Sequence, residues 1–178
     1  MMGCGNFGQG RVVGFAHEAI FKEFCVINKD WIILMRNIIR WITKNKADTP
    51  QKPIKILMTT PSPNSELVPA LGRAMVNVEI NYECQFSEVD LSQYDCLFIY
   101  EFSQKKMTEA DSQKVVDFVK RGGGLLIALR GWVFKNYGEG KQQTDWVNQC
   151  LYNKIISPMG MKFTENWTKF DELTLKPK

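Results

Sequence analysis

The chain has 178 residues, of which 44% are hydrophobic and 24% are charged, and its formal net charge is +4. This size fits a single domain with its own core, and the composition excludes a disordered chain, a collagen and a coiled-coil rod. The small positive net charge is too little to imply a nucleic-acid or anionic-membrane partner, and no apolar run approaches the roughly 20 residues of a membrane span. Five irregularly spaced cysteines indicate reduced thiols in a cytoplasmic protein.

In the first half of the chain, short β-branched runs alternate with longer segments of helical periodicity. Residues 11–16 form the first predicted strand, and the Gly-rich residues 3–10 before it are typical of a tight turn that enters the strand. Residues 54–59, bounded by prolines, read as a buried strand, and a helix over residues 66–75 comes next. Between the two strands, residues 27–43 are predicted to form a helix whose core face carries Trp31, Leu34, Met35, Ile38, Trp41 and Ile42.

The same alternation continues through the second half of the chain. Residues 78–82 and 95–101 are the third and fourth predicted strands, and the fourth is the most apolar. Residues 108–111 have the spacing of a capping box and begin a helix that the three glycines at 122–124 end. Residues 125–129 then form the fifth predicted strand.

The C-terminal region completes the predicted architecture. Thr144 is expected to cap a last helix, and residues 161–164 to add an edge strand. Because apolar strands alternate with helices, we expect an α/β fold, a three-layer flavodoxin-like sandwich with a mainly parallel sheet of five or six strands ordered 3-2-1-4-5 or a close variant. The single domain is predicted to span residues 1–168, and residues 169–178 are predicted to form a polar tail.

Candidate functional residues follow the strands, because ligands and chemistry collect at the carboxyl ends of parallel strands. His17 is the only histidine, and with its neighbour Glu18 and with Glu101 it is a candidate for general acid–base chemistry. The alternative for His17 is a polar strand-end residue that bonds to the loop backbone. Turns at the same edge supply candidates for binding a ligand or an anion, namely Ser62, Asn64, Ser65, Arg130, Gly131 and Trp132.

The turn after the fifth predicted strand resembles the nucleophile elbow of several α/β enzymes. Leu129 and Arg130 stand at its tip, where a catalytic Ser or Cys would be expected. A nucleophile would therefore have to be Cys84, Cys96 or Ser103 within hydrogen-bond reach of the His17 ring, and we predict that none of them is. The chain thus has no predicted catalytic residue, and no spacing of Cys or His residues indicates a metal site or a cofactor.

Residues 8–21, 37–42, 94–100 and 118–132 together resemble the N-terminal amidotransferase-like domain of the channel-associated factor family. They are also similar to class I glutamine-amidotransferase-like domains more widely. The resemblance implies a flavodoxin-like domain whose role is binding, because active amidotransferases need an elbow cysteine and a late His-Glu pair, and this chain lacks both. It also implies a protein partner, since the family modulates melastatin-type TRP cation channels.

These inferences predict a cytoplasmic, non-catalytic, amidotransferase-like interaction module, a pseudoenzyme that regulates a membrane channel or serves as an assembly subunit. Its partner is expected to be a protein, a cation channel or a larger complex, with no nucleic acid, no cofactor and no transmembrane segment of its own. One alternative is a small hydrolase or transferase that uses His17, Glu18 and Glu101. The other is a domain that binds a small sugar or nucleotide without turnover.

Overall fold

The computed structural model describes residues 2–21, 28–44, 53–59, 67–74, 78–82, 86, 89–100, 107–137 and 144–164. Within these ranges one mixed sheet contains β1 (Met2–Phe7), β2 (Gly10–Phe15), β3 (Ile54–Thr59), β4 (Val78–Tyr82), β5 (Cys96–Ile99) and β6 (Gly124–Ala128). The helices are α1 (Lys29–Ile42), α2 (Leu67–Ala74), α3 (Glu109–Lys120), α4 (Gly131–Tyr137), α5 (Trp146–Gln149) and α6 (Leu151–Ile156). The predicted α/β class and mostly parallel sheet are confirmed.

The order of the strands across the sheet is β1-β2-β6-β5-β3-β4. Only β1 runs antiparallel to its neighbour among the described pairings, and β2, β6, β5, β3 and β4 are parallel. The predicted order was wrong for the first predicted strand, because β2 pairs with β6 and does not lie in the middle of the sheet. The strands β2, β5 and β6 are each buried on both faces, so local pattern identifies a strand without specifying its neighbour.

The strand β1 was missed by the sequence analysis, which assigned residues 3–10 to a tight turn. Its glycines and Asn6 have low strand propensity, and its exposure alternates without an apolar face. Pairing with β2, from Met2 opposite Phe15 to Phe7 opposite Gly10, holds it in the sheet. The turn itself is confined to Gly8 and Gln9, where Gly8 has a φ of 57°.

Apolar side chains are buried on both faces of the sheet, and helices cover each face. Leu125 and Val12 point into the core beneath α3 and α6. Leu126 and Val13, their neighbours in sequence, point into the opposite core beneath α1 and α2. Successive residues of a strand face opposite sides, so this pattern requires a layer of helices on each side.

Helix α1 lies on the sheet beside α2, and its buried face differs in part from the predicted one. Its Asn28 cap accepts a hydrogen bond from the Asp30 amide at 2.7 Å. Leu34 and Trp41 are only half-buried, at the margin of the core. Periodicity predicts a stripe about 100° wide, but contact with both the sheet and α2 sets where its margins lie. The buried residues are Trp31, Met35, Ile38, Ile39 and Ile42.

Helix α3 has the predicted capping box at its start. The Thr108 hydroxyl accepts from the Asp111 amide at 3.1 Å, and the Asp111 carboxylate accepts from the Thr108 amide at 2.8 Å. At the other end Gly122 adopts a φ of 117° and donates to the carbonyl of Val119. The predicted glycine stop is therefore confirmed, since a left-handed residue closes the last turn.

The predictions for the last helix need correction. Asp145, not Thr144, occupies the N-cap position, without a side-chain capping bond. Cys150 has an extended conformation and divides the predicted helix into α5 and α6. The short helix α4 was not predicted, because its seven residues are too few to show periodicity.

The predicted edge strand over residues 161–164 is also wrong, because that segment has no strand pairing. The buried Asn153 holds it instead. The amide of Phe163 donates to the Asn153 side-chain oxygen at 2.7 Å, and the Asn153 side-chain nitrogen donates to the Phe163 carbonyl at 2.9 Å. Side-chain bonds thus satisfy the backbone groups that a strand partner would have satisfied.

Candidate functional site

The site lies where the two neighbouring parallel strands β2 and β6 end. Phe15, the last residue of β2, pairs with Ala128, the last residue of β6. The Leu129 amide also donates to the Phe15 carbonyl at 3.2 Å, so the pairing extends one residue beyond β6. This register brings the segment after β2, which contains His17 and Glu18, next to the elbow after β6.

Glu18 and Arg130 form an ion pair across these two strand ends. The Nε of Arg130 lies against the Oε1 of Glu18. The Glu18 side chain is 5% exposed, whereas the Arg130 side chain is 36% exposed. A buried carboxylate needs a charge partner, so Arg130 compensates the burial of Glu18 while part of the Arg130 side chain reaches solvent.

His17 lies beside this pair with its side chain 39% exposed, and its Nδ1 is 4.0 Å from the Oε2 of Glu18. In a strand that continued through both residues, the two side chains would point in opposite directions. The strand ends at Phe15 instead, and Glu18 begins a single 3-10 turn over Glu18–Phe21. One carboxylate therefore faces both the guanidinium of Arg130 and the imidazole of His17.

Two aromatic residues that the sequence analysis did not single out pack next to this cluster. Tyr100 follows β5, the strand beside β6, and is 2% exposed. Its ring centroid is 4.5 Å from that of Phe21, at the end of the 3-10 turn that Glu18 begins. The position of Tyr100 at the end of a strand could have indicated a place in the site. Its apolar neighbours in sequence indicated a buried core residue instead. The contact between these two rings packs the end of the 3-10 turn that carries Glu18 against Tyr100.

The elbow after β6 has the predicted shape and lacks a nucleophile at its tip. Gly131 begins α4, and a Cβ atom at this position would clash with the carbonyl oxygen of Thr164. The Phe134 amide donates to the Arg130 carbonyl at 3.0 Å and closes the first turn of the helix. Trp132 is half-buried in that turn. The side chain next to Gly131 is thus that of Arg130, a cation paired with Glu18. A protonated guanidinium cannot attack a carbonyl.

Of the cysteines and serines considered as nucleophiles, Cys96 lies at the wrong end of the sheet. It pairs with Gly124, which in turn pairs with Arg11 at the amino end of β2. At about 3.3 Å per residue, roughly 13 Å of strand separates that row from the row of Phe15. Cys96 therefore does not reach His17. Cys84 and Ser103 lie outside the described residues.

Four other candidate residues lie outside the described part of the chain. They are Glu101 and the predicted ligand-binding residues Ser62, Asn64 and Ser65. Their predicted roles stay predictions. The structure brings together His17, Glu18 and Arg130, and it adds Tyr100 nearby.

The described residues contain neither a candidate metal site nor a candidate membrane-spanning helix. No three His, Cys, Asp or Glu side chains among them lie close enough to hold a metal ion. No helix in the same ranges is long and apolar enough to cross a membrane.

The sequence matches a known protein family over nearly its whole length. The family model described as "TRPM8, N-terminal domain" (TCAF_N) matches residues 1–176. Relatives include TRPM8 channel-associated factor 3 of Rattus norvegicus, 26% identical over 160 residues, and the TRPM8 channel-associated factor homolog of Xenopus laevis, 22% identical over 167 residues. These alignments cover 90% and 94% of this chain but 15% and 16% of the relatives, so the chain spans about a sixth of their length. The predicted resemblance to channel-associated factors is confirmed.

Solved structures with a similar fold belong to a bacterial protein. The IMPa metallopeptidase from Pseudomonas aeruginosa superimposes with a TM-score of 0.51, and the IMPa metallopeptidase in complex with T-antigen with a TM-score of 0.53. Each match covers 86% of this chain and 16% of the other chain, at 12% sequence identity. At this identity the similarity concerns the fold alone.

Proposed function

The chain belongs to the family of TRPM8 channel-associated factor N-terminal domains, and from this membership we propose that it is a non-catalytic interaction domain that associates with a membrane cation channel or a complex containing one. The relatives are named as factors associated with the TRPM8 channel. The TRPM8 channel is therefore the first partner to test.

The observation that carries the non-catalytic part of the proposal is the ion pair between Glu18 and Arg130. Acyl transfer at an elbow needs a nucleophile, a base within hydrogen-bond reach and donors for the oxyanion. Arg130 stands next to the elbow glycine, and its charge compensates a buried carboxylate. Glu18, a candidate for acid–base chemistry, is thus paired with the arginine that stands where a nucleophile would be expected, which supports a non-catalytic role.

The proposal extends to the ancestry and setting of the domain. We assign it to the flavodoxin-like, class I amidotransferase-like domains as a pseudoenzyme, supported by the helix layers on both faces of the sheet. Residues 1–168 would form this domain, with residues 169–178 as its tail, and it would act on the cytoplasmic side of the membrane. The partly exposed side chains of His17, Arg130 and Trp132 at the carboxyl edge would contribute to the binding surface.

The test is direct binding of the purified chain to purified TRPM8 channel in neutral detergent, measured by biolayer interferometry. We expect saturable binding that the His17→Glu substitution weakens, because it places a second negative charge beside Glu18 at the proposed surface. Lys120→Glu, on the exposed end of α3, is the matched control and should bind like the natural chain. Absence of binding by the natural chain to an active channel preparation would contradict the proposal.

A parallel assay addresses the two alternatives. The natural chain and His17→Ala are incubated with a panel of ester, amide and glycoside substrates, and a panel of sugars and nucleotides is screened by thermal shift. A ligand at 100 times its dissociation constant adds about 2.7 kcal/mol to the free energy of unfolding, which such a screen detects. Turnover that disappears in His17→Ala would favour the hydrolase or transferase. A stabilising small molecule without turnover would favour the ligand-binding domain.

A further inference from the structure

The outer side of helix α1 carries a row of positive charges that the proposed function does not use. Lys29, Ile33, Arg36 and Arg40 recur at steps of four, three and four residues, and Lys44 follows just beyond the helix end. Such spacing puts residues on one stripe of a helix, and Lys29 to Arg40 extends over about 16 Å. We call these five residues the basic face.

All five members of the basic face are exposed. Arg36 and Arg40 make contacts within the chain and are exposed nonetheless. Asp30 is the single acidic residue of α1, so four cations meet one anion between residues 29 and 44. The formal charge of this segment is therefore 4 − 1 = +3, most of the +4 of the whole chain.

The basic face is held in place by the core beneath it. The opposite side of α1 buries Trp31, Met35 and Ile39 against the sheet and α2. Ile33 lies in the middle of the row with 54% of its surface exposed, although burial would favour a residue of its size. The neighbouring helix α2 exposes a further cation, Arg73. The outcome is a rigid surface with several cations and one large apolar side chain.

We propose that the basic face docks on an anionic lipid bilayer, with Ile33 in the headgroup region. Clusters of Lys and Arg beside an exposed apolar residue are what a negatively charged membrane surface attracts. A straight row on a fixed helix lets every cation meet a flat surface at once, whereas an acidic peptide would have to follow the row. The choice of a membrane over another anionic partner rests on the proposed association with a membrane channel. The charge and the exposure of the basic face do not depend on that proposal.

The test measures co-sedimentation of the full chain with protein-free vesicles. One set is phosphatidylcholine alone, and the other contains about one third phosphatidylserine, a lipid of the negatively charged cytoplasmic leaflet. We expect binding to the second set only, and its loss when salt is raised from about 0.1 M to about 1 M, because salt screens exposed charges. Binding to neither set would overturn the proposal.

Charge reversal identifies the surface. Arg36→Glu/Arg40→Glu should weaken binding by about 30-fold or more, since each basic side chain near the membrane surface contributes about a fivefold factor. The matched control Lys120→Glu/Arg121→Glu removes the same charge from the opposite helix layer and should bind like the natural chain. Equal loss in both double variants would mean that net charge alone acts, and would overturn the assignment to this face.

A second pair keeps the test independent of folding. Lys29→Glu/Lys44→Asn lies at the two ends of the basic face, and asparagine suits the φ of 55° at position 44. It should weaken vesicle binding while circular dichroism and the melting temperature stay unchanged. Ile33→Ser should also weaken vesicle binding at low salt, because it removes the apolar contact with the headgroup region.

Competing occupants give distinct results. Capture of a polyglutamate peptide without vesicle binding would assign the basic face to an acidic protein segment and overturn the lipid proposal. Because the vesicles contain no channel, their result does not depend on channel association. Conversely, channel binding in neutral detergent by Arg36→Glu/Arg40→Glu would show that the proposed function stands apart from this surface.

Discussion

The Nε of Arg130 and the Oε1 of Glu18 form an ion pair that joins the segments following two adjacent parallel strands. Glu18 is buried, so its charge depends on this guanidinium for compensation. His17 is near the other carboxylate oxygen, at 4.0 Å. One carboxylate therefore lies between a guanidinium and an imidazole at this edge of the sheet.

Replacing Arg130 by methionine should destabilise the protein. The substitution keeps most of the side-chain volume but leaves the Glu18 carboxylate buried without its cation. Breaking a fully buried pair costs about 3–5 kcal/mol, and we expect about 2 kcal/mol or more here because Arg130 is 36% exposed. Urea denaturation followed by fluorescence measures the free energy of unfolding.

The double variant Glu18→Gln/Arg130→Met is the control for that prediction. It removes the buried charge together with its partner, so it should be more stable than Arg130→Met alone. If the single variant loses less than about 0.5 kcal/mol, within the range of ordinary surface substitutions, the ion pair contributes nothing structural.

At the elbow, Gly131→Ala should destabilise the protein by about 1–3 kcal/mol, because the added methyl group meets backbone rather than a movable side chain. The atom in its way is the Thr164 carbonyl oxygen. The matched control is Gly72→Ala in α2, where a Cβ atom meets nothing within 4 Å. Removing a helical glycine there should raise stability by up to about 1 kcal/mol. Thermal melts of both variants measure the change in melting temperature. Changes of the same sign in Gly131→Ala and Gly72→Ala would contradict the structure.

On α1, Ile39→Ala should cost about 2–5 kcal/mol, the usual range for truncating a fully buried isoleucine. Ile39 is 0% exposed, whereas Ile33 on the same helix is 54% exposed. Ile33→Ala should therefore change stability by less than about 0.5 kcal/mol. Chemical denaturation of the pair checks which face of α1 is buried, and similar losses would refute it.

The capping box of α3 predicts that Thr108→Ala loses about 1 kcal/mol, since the first-turn amide of Asp111 then has no hydroxyl to bond. Thr108→Ser keeps the oxygen and should retain nearly all of the stability. Differential scanning calorimetry of the two variants makes the comparison. Equal losses would assign the effect to the lost methyl group.

An ion pair between Lys154 of α6 and Glu109 of α3 predicts a titration result. The hydrogen bond from Lys154, and then its positive charge, lower the pKa of the Glu109 carboxyl. A lowered pKa means that the carboxylate contributes stability above its ordinary pKa and loses that contribution as pH falls through the lowered value. Lys154→Met should raise the Glu109 pKa in an NMR titration.

Asp90 supplies the internal reference for that titration. The hydrogen bonds of Ser92 lower the pKa of Asp90, and Lys154 is not among its partners. Its pKa should therefore be the same in Lys154→Met and in the natural chain. A change at Asp90 as large as that at Glu109 would point to a global perturbation instead of the loss of one ion pair.

Local features of the chain were predictable because their causes lie within a few residues. The strand at Val78–Tyr82, the capping box of α3 and the glycine stop at Gly122 depend on neighbouring residues, and each is where the sequence predicts it. The family could be inferred for a similar reason, since the resemblance is carried by short continuous segments, and the family model matches residues 1–176.

Other features depend on residues far apart and could not be read locally. The glycines of β1 become a strand only because β2 offers a partner. Likewise, nothing around Thr144 shows that the last helix breaks at Cys150, or that Asn153 binds the segment ending in Phe163. Long-range pairing overrides local propensity in each case.

What the sequence determined by itself is therefore five of the six strands, helices α1 to α3, the capping box and glycine stop of α3, and the missing nucleophile at the elbow. Only the tertiary structure decided that β2 lies beside β6, and with it that Glu18 meets Arg130. It also decided which half of α1 faces water. The physical reason is that periodicity and turn chemistry act over one or two turns of chain, whereas strand order is set by packing apolar strands that are locally interchangeable.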